Sequence, residues 1–327
     1  MTLPTHAETL RIHSVCGLHA GPRLIVLGAV HGNETCGTRA IERVLDEIDG
    51  GALPIVRGAV TFVPVANPLA YRSGQRIGER NLNRNLRPHA EPRDNEDRIA
   101  NVLCPLLAQH DVLLDLHSFH SPGEPFAMIG PLDNAGTLEP FAHAAQEEAL
   151  ALRLGPRRIV EGWLATYAVG VKERLRRTPP TEYHQLLNTD PSYGVGTTEY
   201  MRSQGGYAVT LECGQHADQN APEVARQAIH SALAHLGITQ ESPPAARTGV
   251  EFLKLTEVVD RLHADDHLSR QWVSFTPLNA GDLIATRADG TPVTAREDGF
   301  IVFPHPAAVP GNEWFYLARR SPRVLRA

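Results

Sequence analysis

The stretch LIVLGAVHGNE, residues 24–34, joins an apolar segment of strand length directly to a histidine and a glutamate. A near-continuous apolar run of this length is typical of a strand buried on both faces of a parallel sheet. Further segments with strand character lie at 58–65, 112–117, 127–130 and 207–212. Helical apolar patterns lie at 38–48, 97–108, 138–152 and 221–236. Strands alternating with helices predict an α/β fold with a mostly parallel or mixed sheet flanked by helices.

The pattern changes after residue 236. Residues 237–249, GITQESPPAARTG, are polar and contain a proline pair, which is typical of a linker. Short alternating segments separated by turn sequences follow, and they predict a small C-terminal β domain. The sequence therefore predicts an α/β domain over residues 1–240 and a β domain over residues 250–327.

Composition excludes several classes of protein. The 327 residues carry 31 Lys and Arg against 37 Asp and Glu, and the net charge of −6 argues against nucleic acid as a partner. Four cysteines without a CxxC pair indicate neither a zinc finger nor a disulfide scaffold, and reduced thiols fit the cytoplasm. The N-terminal residues show no signal-peptide pattern, and no apolar run is long enough to span a membrane.

Two histidines and one glutamate follow apolar strands where a parallel sheet binds ligands. His31 and Glu34 lie in HGNE after the first strand, and His117 ends VLLDLH. The carboxyl ends of parallel strands line the ligand crevice of such a sheet. Two histidines and a glutamate are a known ligand set for catalytic Zn²⁺ that leaves a position for water. We predict one zinc ion on this set, with Gly32 allowing a sharp turn, although an isolated HxxE also arises by chance.

Three residues near the ends of the same strands have competing interpretations. Asp115 lies on the same strand face as His117, so it either orients the His117 imidazole or is a carboxylate held by the backbone. Glu212 closes the apolar strand YAVTLE. It is either a general base beside a metal or a strand-end side chain in solvent. Cys213 follows, and no sequence context pairs it with a histidine as a nucleophile.

The segment NPLAYRSGQRIGERNLNRNL, residues 67–86, is a local cationic cluster in an acidic protein. Its polar members, with Arg87 just beyond, are Arg72, Arg76, Arg80, Arg84, Asn67, Asn81, Asn83 and Asn85. A guanidinium group pairs bidentately with carboxylates, so the segment suits a small anion. We expect Arg72, Arg80 and Arg87 to be solvated surface side chains.

Together, these motifs resemble those of the aspartoacylase and succinylglutamate desuccinylase family, within the zinc carboxypeptidase-like superfamily. The shared features are HGNE, Asn67 nine positions before Arg76, LNR at 82–84, DLH at 115–117, Arg202 ten positions before Glu212, LECG at 211–214, and NEWFY at 312–316. The resemblance runs from about residue 24 to residue 316.

The resemblance implies a role for each site residue. The zinc ligands would be His31, Glu34 and His117. The catalytic residues would be Glu212, as general base and then general acid, and Arg76, which would polarise the scissile carbonyl. The substrate-binding residues would be Asn83, Arg84, Arg202 and Tyr316. Strand alternation places Trp314 and Tyr316 on one face and Phe315 on the other. If Phe315 faces the core of the β domain, Tyr316 points toward the catalytic domain.

Three features depart from the family pattern. Asn81 stands where aspartoacylase-like sequences carry an aspartate before LNR, and Thr198 stands where an aromatic residue is expected. Residues 157–196 match no motif of the family. These departures leave the identity of the substrate open.

The activity that the resemblance implies is that of a zinc-dependent amidohydrolase, with its catalytic domain at 1–240, acting on a small anionic N-acyl amino acid. A metallocarboxypeptidase acting on peptides and a non-catalytic binding protein on the same fold are the alternatives. The expected partners include neither nucleic acid nor membrane, and association into a homo-oligomer is left open.

Overall fold

The computed structural model describes residues 9–185 and 189–326. Residues 1–8, which carry part of the signal-peptide prediction, lie outside the described residues. The strands, in chain order, are β1 (His13–Cys16), β2 (His19–Leu27), β3 (Arg57–Val63), β4 (Val112–Phe119), β5 (Phe126–Ile129), β6 (Arg158–Glu161), β7 (Tyr207–Gln215), β8 (Glu251–Asp260), β9 (His267–Leu268), β10 (Thr276–Leu278), β11 (Leu283–Thr286), β12 (Pro292–Thr294), β13 (Gly299–Val302) and β14 (Glu313–Arg320).

The helices flank these strands and occupy most of the long connections. They are α1 (Cys36–Asp49), α2 (Pro68–Ser73), α3 (Asn95–Leu107), α4 (Ala144–Ala151), α5 (Trp163–Arg177), α6 (Thr197–Ser203) and α7 (Ala221–His235), with 3₁₀ turns at Pro180–Gln185 and Pro191–Gly194. Within the described part of the chain, no helix is both long and apolar enough to cross a membrane.

Eleven of the described strands form one mixed sheet, in the order β1-β3-β2-β4-β7-β5-β6-β8-β14-β13-β10. Strands β3, β2, β4 and β7 are parallel neighbours. In register, His117 of β4 lies beside Glu212 of β7. The carboxyl ends of these strands therefore meet at one edge, as parallel pairing requires. The predicted α/β class with a mostly parallel or mixed sheet is confirmed.

The alternating side chains of β2 show that both faces of the sheet are buried. Leu24 and Val26 belong to a core cluster that includes residues of α1 and α7. Ile25 and Leu27 belong to a second cluster with residues of α3 and α6. Burial on both faces explains why the strand is a continuous apolar run.

Two predicted elements begin or end elsewhere. The strand predicted at 24–30 ends at Leu27, because Ala29 has a φ of 46° in the left-handed region. The helix predicted at 138–152 begins only at Ala144. Before it, Asn134 and Phe141 exchange backbone hydrogen bonds around a turn, which is incompatible with a helix that starts at residue 138.

The C-terminal strands extend the main sheet. Strand β8 pairs in parallel with β6, and β14, β13 and β10 follow in antiparallel order. Strands β12, β11 and β9 form a small separate sheet. Residues 237–249 contain no helix or strand. The boundaries of the two domains, at 1–240 and 250–327, stay a prediction.

Candidate active site

Three of the predicted site residues meet at the carboxyl edge of the sheet. His31 and Glu34 lie in the loop between β2 and α1, and His117 lies near the end of β4. His31 Nδ1 is 2.9 Å from Glu34 Oε1, and His117 Nδ1 is 2.8 Å from Glu34 Oε2. One ligand atom from each residue lies within 4.8 Å of the others, and all three side chains are buried. A carboxylate between two imidazoles is a donor set that suits Zn²⁺.

The nitrogens of the two histidines that point away from Glu34 also have neighbours. His31 Nε2 is 3.1 Å from Asn81 Oδ1, which also accepts a hydrogen bond from the Asn83 amide. His117 Nε2 is 2.9 Å from Asp115 Oδ2. The Asp115 carboxylate therefore lies beside the His117 imidazole as a charged neighbour, and its orienting role stays a prediction. Asn81 Oδ1 is an uncharged hydrogen-bond acceptor, and it is placed to orient the His31 ring through Nε2.

Electrostatics favour a charged Glu34 beside a protonated His117. Burial and the Arg76 guanidinium lower the pKa of His31 to about 4. Burial also opposes charge on His117, yet the Asp115 and Glu34 carboxylates raise the pKa of His117 well above its ordinary value. Burial opposes charge on Glu34 too, but the two imidazoles hold its pKa well below its usual range. A cation bound here would take over the role of the His117 proton, so metal binding would release it.

The tight loop between His31 and Glu34 depends on Gly32, for a reason other than the predicted sharp turn. A Cβ atom on Gly32 would lie 2.0 Å from the carbonyl carbon of Ala70 and 2.2 Å from the Tyr71 nitrogen, both in the backbone of α2. The Gly32 amide also donates to the Arg76 carbonyl at 3.3 Å. The absence of a side chain therefore allows close approach of two backbone segments.

Gly32→Ala is expected to destabilise the protein by about 1–3 kcal/mol or more, because backbone atoms of α2 must shift to admit the methyl group. Urea unfolding measures this loss. Gly136→Ala is a matched control, since its Cβ would meet only Asn134 Oδ1, at 3.0 Å. Equal stability of the two variants would contradict the close-approach explanation.

Arg76 contacts the group formed by His31, Glu34 and His117 directly. Its Nη1 donates to Glu34 Oε1 at 2.6 Å, and half of its side chain is exposed. A guanidinium group has five N–H donors, so this bond leaves others for a ligand. Arg76 lines the same cavity as His31, Glu34 and His117, which has a volume of about 300 Å³.

Glu212 lies beside His117, in the wall of this cavity. Its carboxyl group is buried, and burial raises the pKa of Glu212 to about 8. Among the described residues, no hydrogen-bond partner reaches Glu212 Oε2. The strand-end Glu212 thus faces the cavity rather than solvent. Cys213 belongs to the apolar core, and burial raises the pKa of its thiol well above the usual value, which is incompatible with a nucleophile.

The predicted substrate-binding residues Asn83, Arg84 and Tyr316 all line the cavity. Asn83 Oδ1 accepts a hydrogen bond from the Thr197 amide at 2.9 Å. The Arg84 guanidinium lies 4.8 Å from the centre of the Trp163 ring. The Tyr316 hydroxyl is buried, and no partner for it is present within the described ranges. It is therefore a polar group available to a ligand.

Tyr316 reaches the cavity because β14 is irregular at Trp314. The pairing of β14 with β8 shifts register between Glu313 and Phe315. Trp314 and Phe315 then share one core cluster of the C-terminal strands, while Tyr316 joins another with Val302. The alternation that predicted a common face for Trp314 and Tyr316 is interrupted at this point.

Arg202 borders the same cavity, but its guanidinium is already paired. It donates to Glu147 at 2.9 Å and to Glu139 at 2.8 Å, and its side chain is only 3% exposed. The prediction that Arg80 is a solvated surface side chain is wrong. Arg80 is largely buried, and it pairs with Asp94 at 2.8 Å and with Asp97 at 2.6 Å. Arg72 and Arg87 are exposed, as predicted.

Sequence reasoning missed several cavity residues. Trp163 begins α5 in the segment without a family motif, and Glu313 stands inside NEWFY without an assigned role. His120, His216 and His305 also line the cavity, with the His120 and His305 rings stacked at 4.6 Å. These residues come from separate segments with no shared spacing, so only Glu313 carried a sequence signal.

Comparisons with known proteins agree on one family. Residues 20–129 match the model of the succinylglutamate desuccinylase/aspartoacylase catalytic domain. A succinylglutamate desuccinylase of Pseudomonas aeruginosa is 27% identical over 306 residues, which cover 88% of this chain and 80% of the relative.

Solved structures share the fold. A succinylglutamate desuccinylase/aspartoacylase from Rhodobacter sphaeroides superposes with a TM-score of 0.70 at 18% identity, covering 95% of this chain and 90% of that one. The ectoine utilization protein EutE (DoeB) from Ruegeria pomeroyi, solved with bound product, gives a TM-score of 0.67 at 21% identity, covering 94% and 88%.

Proposed function

We propose that the chain belongs to the succinylglutamate desuccinylase/aspartoacylase family and that it is a zinc-dependent amidohydrolase. It cleaves the amide bond of a small N-acyl amino acid. The observation that carries the proposal is the placement of the buried His31, Glu34 and His117 group and of Glu212 in the wall of one cavity. This combination provides a metal site and a proton acceptor side by side.

The chemistry divides between the metal and two side chains. When bound by His31, Glu34 and His117, Zn²⁺ supplies Lewis acidity and lowers the pKa of water. Glu212 accepts a proton as water adds to the amide carbon. It then delivers that proton to the nitrogen as the C–N bond breaks, which leaves a carboxylic acid and an amine. Arg76 donates hydrogen bonds to the oxyanion that develops on the former carbonyl oxygen.

The raised pKa of Glu212 suits this shuttle. A group that first takes a proton and later gives it up works best when its pKa lies near the working pH. Burial raises the pKa of Glu212 to about 8, while the charges of His117 and Arg76 oppose that rise. Glu212 accepts the proton as a carboxylate, a form that a nearby cation favours, and its buried surroundings help it to hold that proton until the nitrogen receives it.

The C-terminal strands restrict the size of the substrate. Phe303, His305, Glu313 and Tyr316 belong to these strands and their loops, and all line the cavity. They close one side of the space over the metal-ligand group. A cavity of about 300 Å³ favours a small amide over a peptide chain.

The decisive experiment is a turnover screen of zinc-loaded protein with N-acyl amino acids and with short peptides. Hydrolysis of the N-acyl amino acids is expected, lost on chelation and restored by zinc. Faster cleavage of the peptides would identify a metallocarboxypeptidase instead. Absence of turnover at full zinc occupancy would favour a non-catalytic binding protein.

Tyr316→Phe is expected to raise KM for the true substrate by about 5–150-fold, equivalent to about 1–3 kcal/mol. The reason is that this variant loses a buried hydroxyl that is available to a ligand and keeps the ring that packs on Trp163. Zinc content should not change.

Steady-state kinetics and metal analysis check this result. Tyr207→Phe is the matched control, because Tyr207 lies at the start of β7, at the end of the strand remote from Glu212. An unchanged KM in Tyr316→Phe would show that the hydroxyl does not contact substrate.

A further inference from the structure

Resting on the proposed function, we infer that the cavity selects N-acyl amino acids with a single carboxylate. Arg84 and Tyr316 receive that carboxylate, and a second carboxylate on the acyl group or side chain is disfavoured. The inference comes from the ion pairs of the arginines that border the cavity, Arg76, Arg84 and Arg202. A dicarboxylate would need two of them free for recognition, in addition to the arginine that serves the reacting carbonyl.

Arg202 is already neutralised by the protein. Its Nε donates to Glu147 Oε2 at 2.9 Å, and its Nη1 donates to Glu139 Oε1 at 2.8 Å. Its Nη2 donates to the Ala208 carbonyl at 2.8 Å and to Glu147 Oε1 at 3.3 Å. These four bonds leave little of the guanidinium for a substrate, since the group has five N–H donors.

The Glu147 partner is itself held in place. Glu147 is fully buried and accepts hydrogen bonds from the Gly130 amide at 2.5 Å and from the Ala208 amide at 2.8 Å. Release of Arg202 toward a substrate would strand the Glu147 carboxylate without its cation, and an unpaired buried charge is strongly unfavourable. The Arg202–Glu147 pair is therefore a structural element of the cavity wall.

Three carboxylates lie around the single positive charge of Arg202. Glu199 Oε1 lies 3.6 Å from Arg202 Nη1, in addition to the direct pairs with Glu147 and Glu139. Burial raises the pKa of Glu139 to about 7 even though Arg202 opposes that rise. A substrate carboxylate placed here would meet like charges, and like charges in a buried site repel strongly.

Within the residues that the structure describes, Arg84, unlike Arg202, has no carboxylate at direct hydrogen-bond distance. Its closest carboxylate oxygen, Glu313 Oε1, is 3.9 Å from Nη2, and Glu313 is shared with Arg174 at 3.6 Å. Its Nη1 donates to the Asn83 carbonyl at 2.8 Å, while the group lies over the Trp163 ring. Arg84 therefore keeps donors and positive charge for one carboxylate.

Part of the remaining wall, apart from the three histidines His120, His216 and His305, suits an uncharged group. Met128, Ile129 and Phe119 line the cavity beside Thr198 and Thr210. Apolar and hydroxyl side chains accommodate an acyl chain or an amide but provide no compensating cation for an anion. The second substituent of the substrate is thus expected to be free of negative charge.

The test uses two pairs of substrates that differ only in one carboxylate. The first pair is N-acetyl-L-glutamine and N-acetyl-L-glutamate, and the second is the N-butyryl and N-succinyl derivatives of one neutral amino acid. We expect kcat/KM to be at least about tenfold higher for the neutral member of each pair, a difference of about 1.4 kcal/mol. Preference for the dicarboxylates would overturn the inference while the proposed function stood. Hydrolysis of none of the four would overturn both.

A variant tests the cause of the selectivity. Glu139→Gln removes one carboxylate partner of Arg202 and leaves the pair with Glu147. It should raise kcat/KM selectively for the dicarboxylate members of the pairs. The control is Glu251→Gln, at the start of β8, which removes a carboxylate paired with Arg158. It should not change the ratio of kcat/KM between the two members of each substrate pair. An unchanged ratio in a folded Glu139→Gln variant would show that the Arg202 ion pairs do not set selectivity.

Discussion

Glu212→Gln is expected to retain its fold and metal content while kcat falls by about 10²–10⁴-fold, the usual contribution of general acid–base catalysis. The amide has almost the shape of the carboxyl group, so packing against β4 is preserved. It cannot accept a proton from water, and it cannot return one to the leaving nitrogen. Because both halves of the proposed shuttle use Glu212, the loss should lie at the upper end of this range.

Three measurements separate this role from a structural one. Metal analysis and thermal unfolding should give wild-type values, because Glu212 Oε2 makes no hydrogen bond within the described part of the chain. The kinetic assay should show the loss in kcat. Glu173→Gln is the control, since Glu173 is an exposed residue of α5 paired with Arg176. A kcat near that of wild type would place the base elsewhere.

The sequence predicted that His31, Glu34 and His117 lie together, because strand order limits where strand ends lie. Two apolar strands that each lead to a histidine must deliver both to the same edge if the strands are parallel neighbours. Strands β2 and β4 are such neighbours, and β7 adds Glu212 beside them. The motif positions of His31, Glu34 and His117 thus translate directly into three-dimensional proximity.

The ion-pair partners of the arginines could not be predicted in the same way. LNR and the position of Arg202 identify arginines at the cavity, but the partners Glu139 and Glu147 lie more than 50 positions from Arg202. No spacing rule relates such distant residues. An ion pair of this kind depends on how α4 and α6, which carry Glu147 and Arg202, both pack against β7, and that packing is visible only in the structure.

Two features of the local geometry also could not be predicted from the sequence. Strand alternation grouped Trp314 with Tyr316, and an irregularity in β14 separated them. The role of Gly32 depends on the backbone of α2, which is 38 positions away at Ala70. Both features arise from tertiary contacts rather than from local propensity.

His117→Ala is expected to remove metal and activity together. In the proposed site His117 is one of the three ligands, and it lies 2.8 Å from Glu34, the carboxylate at the centre of the group. Its loss leaves only His31 and Glu34 as ligands. Removal of an outer partner of a ligand typically lowers metal affinity by about 10–100-fold, and removal of a ligand should lower it further. Residual turnover should not exceed that of chelated wild-type protein.

Metal analysis after dialysis is the direct measurement, with one zinc per chain expected in wild type and substoichiometric zinc in His117→Ala. His263→Ala is the control, because His263 has a side chain 61% exposed, in the turn after β8. Asn81→Ala provides an intermediate case, since it removes no proposed ligand but removes the acceptor for His31 Nε2 and for the Asn83 amide. It should weaken zinc binding by about 10–100-fold without abolishing it. Full zinc occupancy in His117→Ala would mean that the metal binds through other residues, and the proposed hydrolytic site would then be wrong.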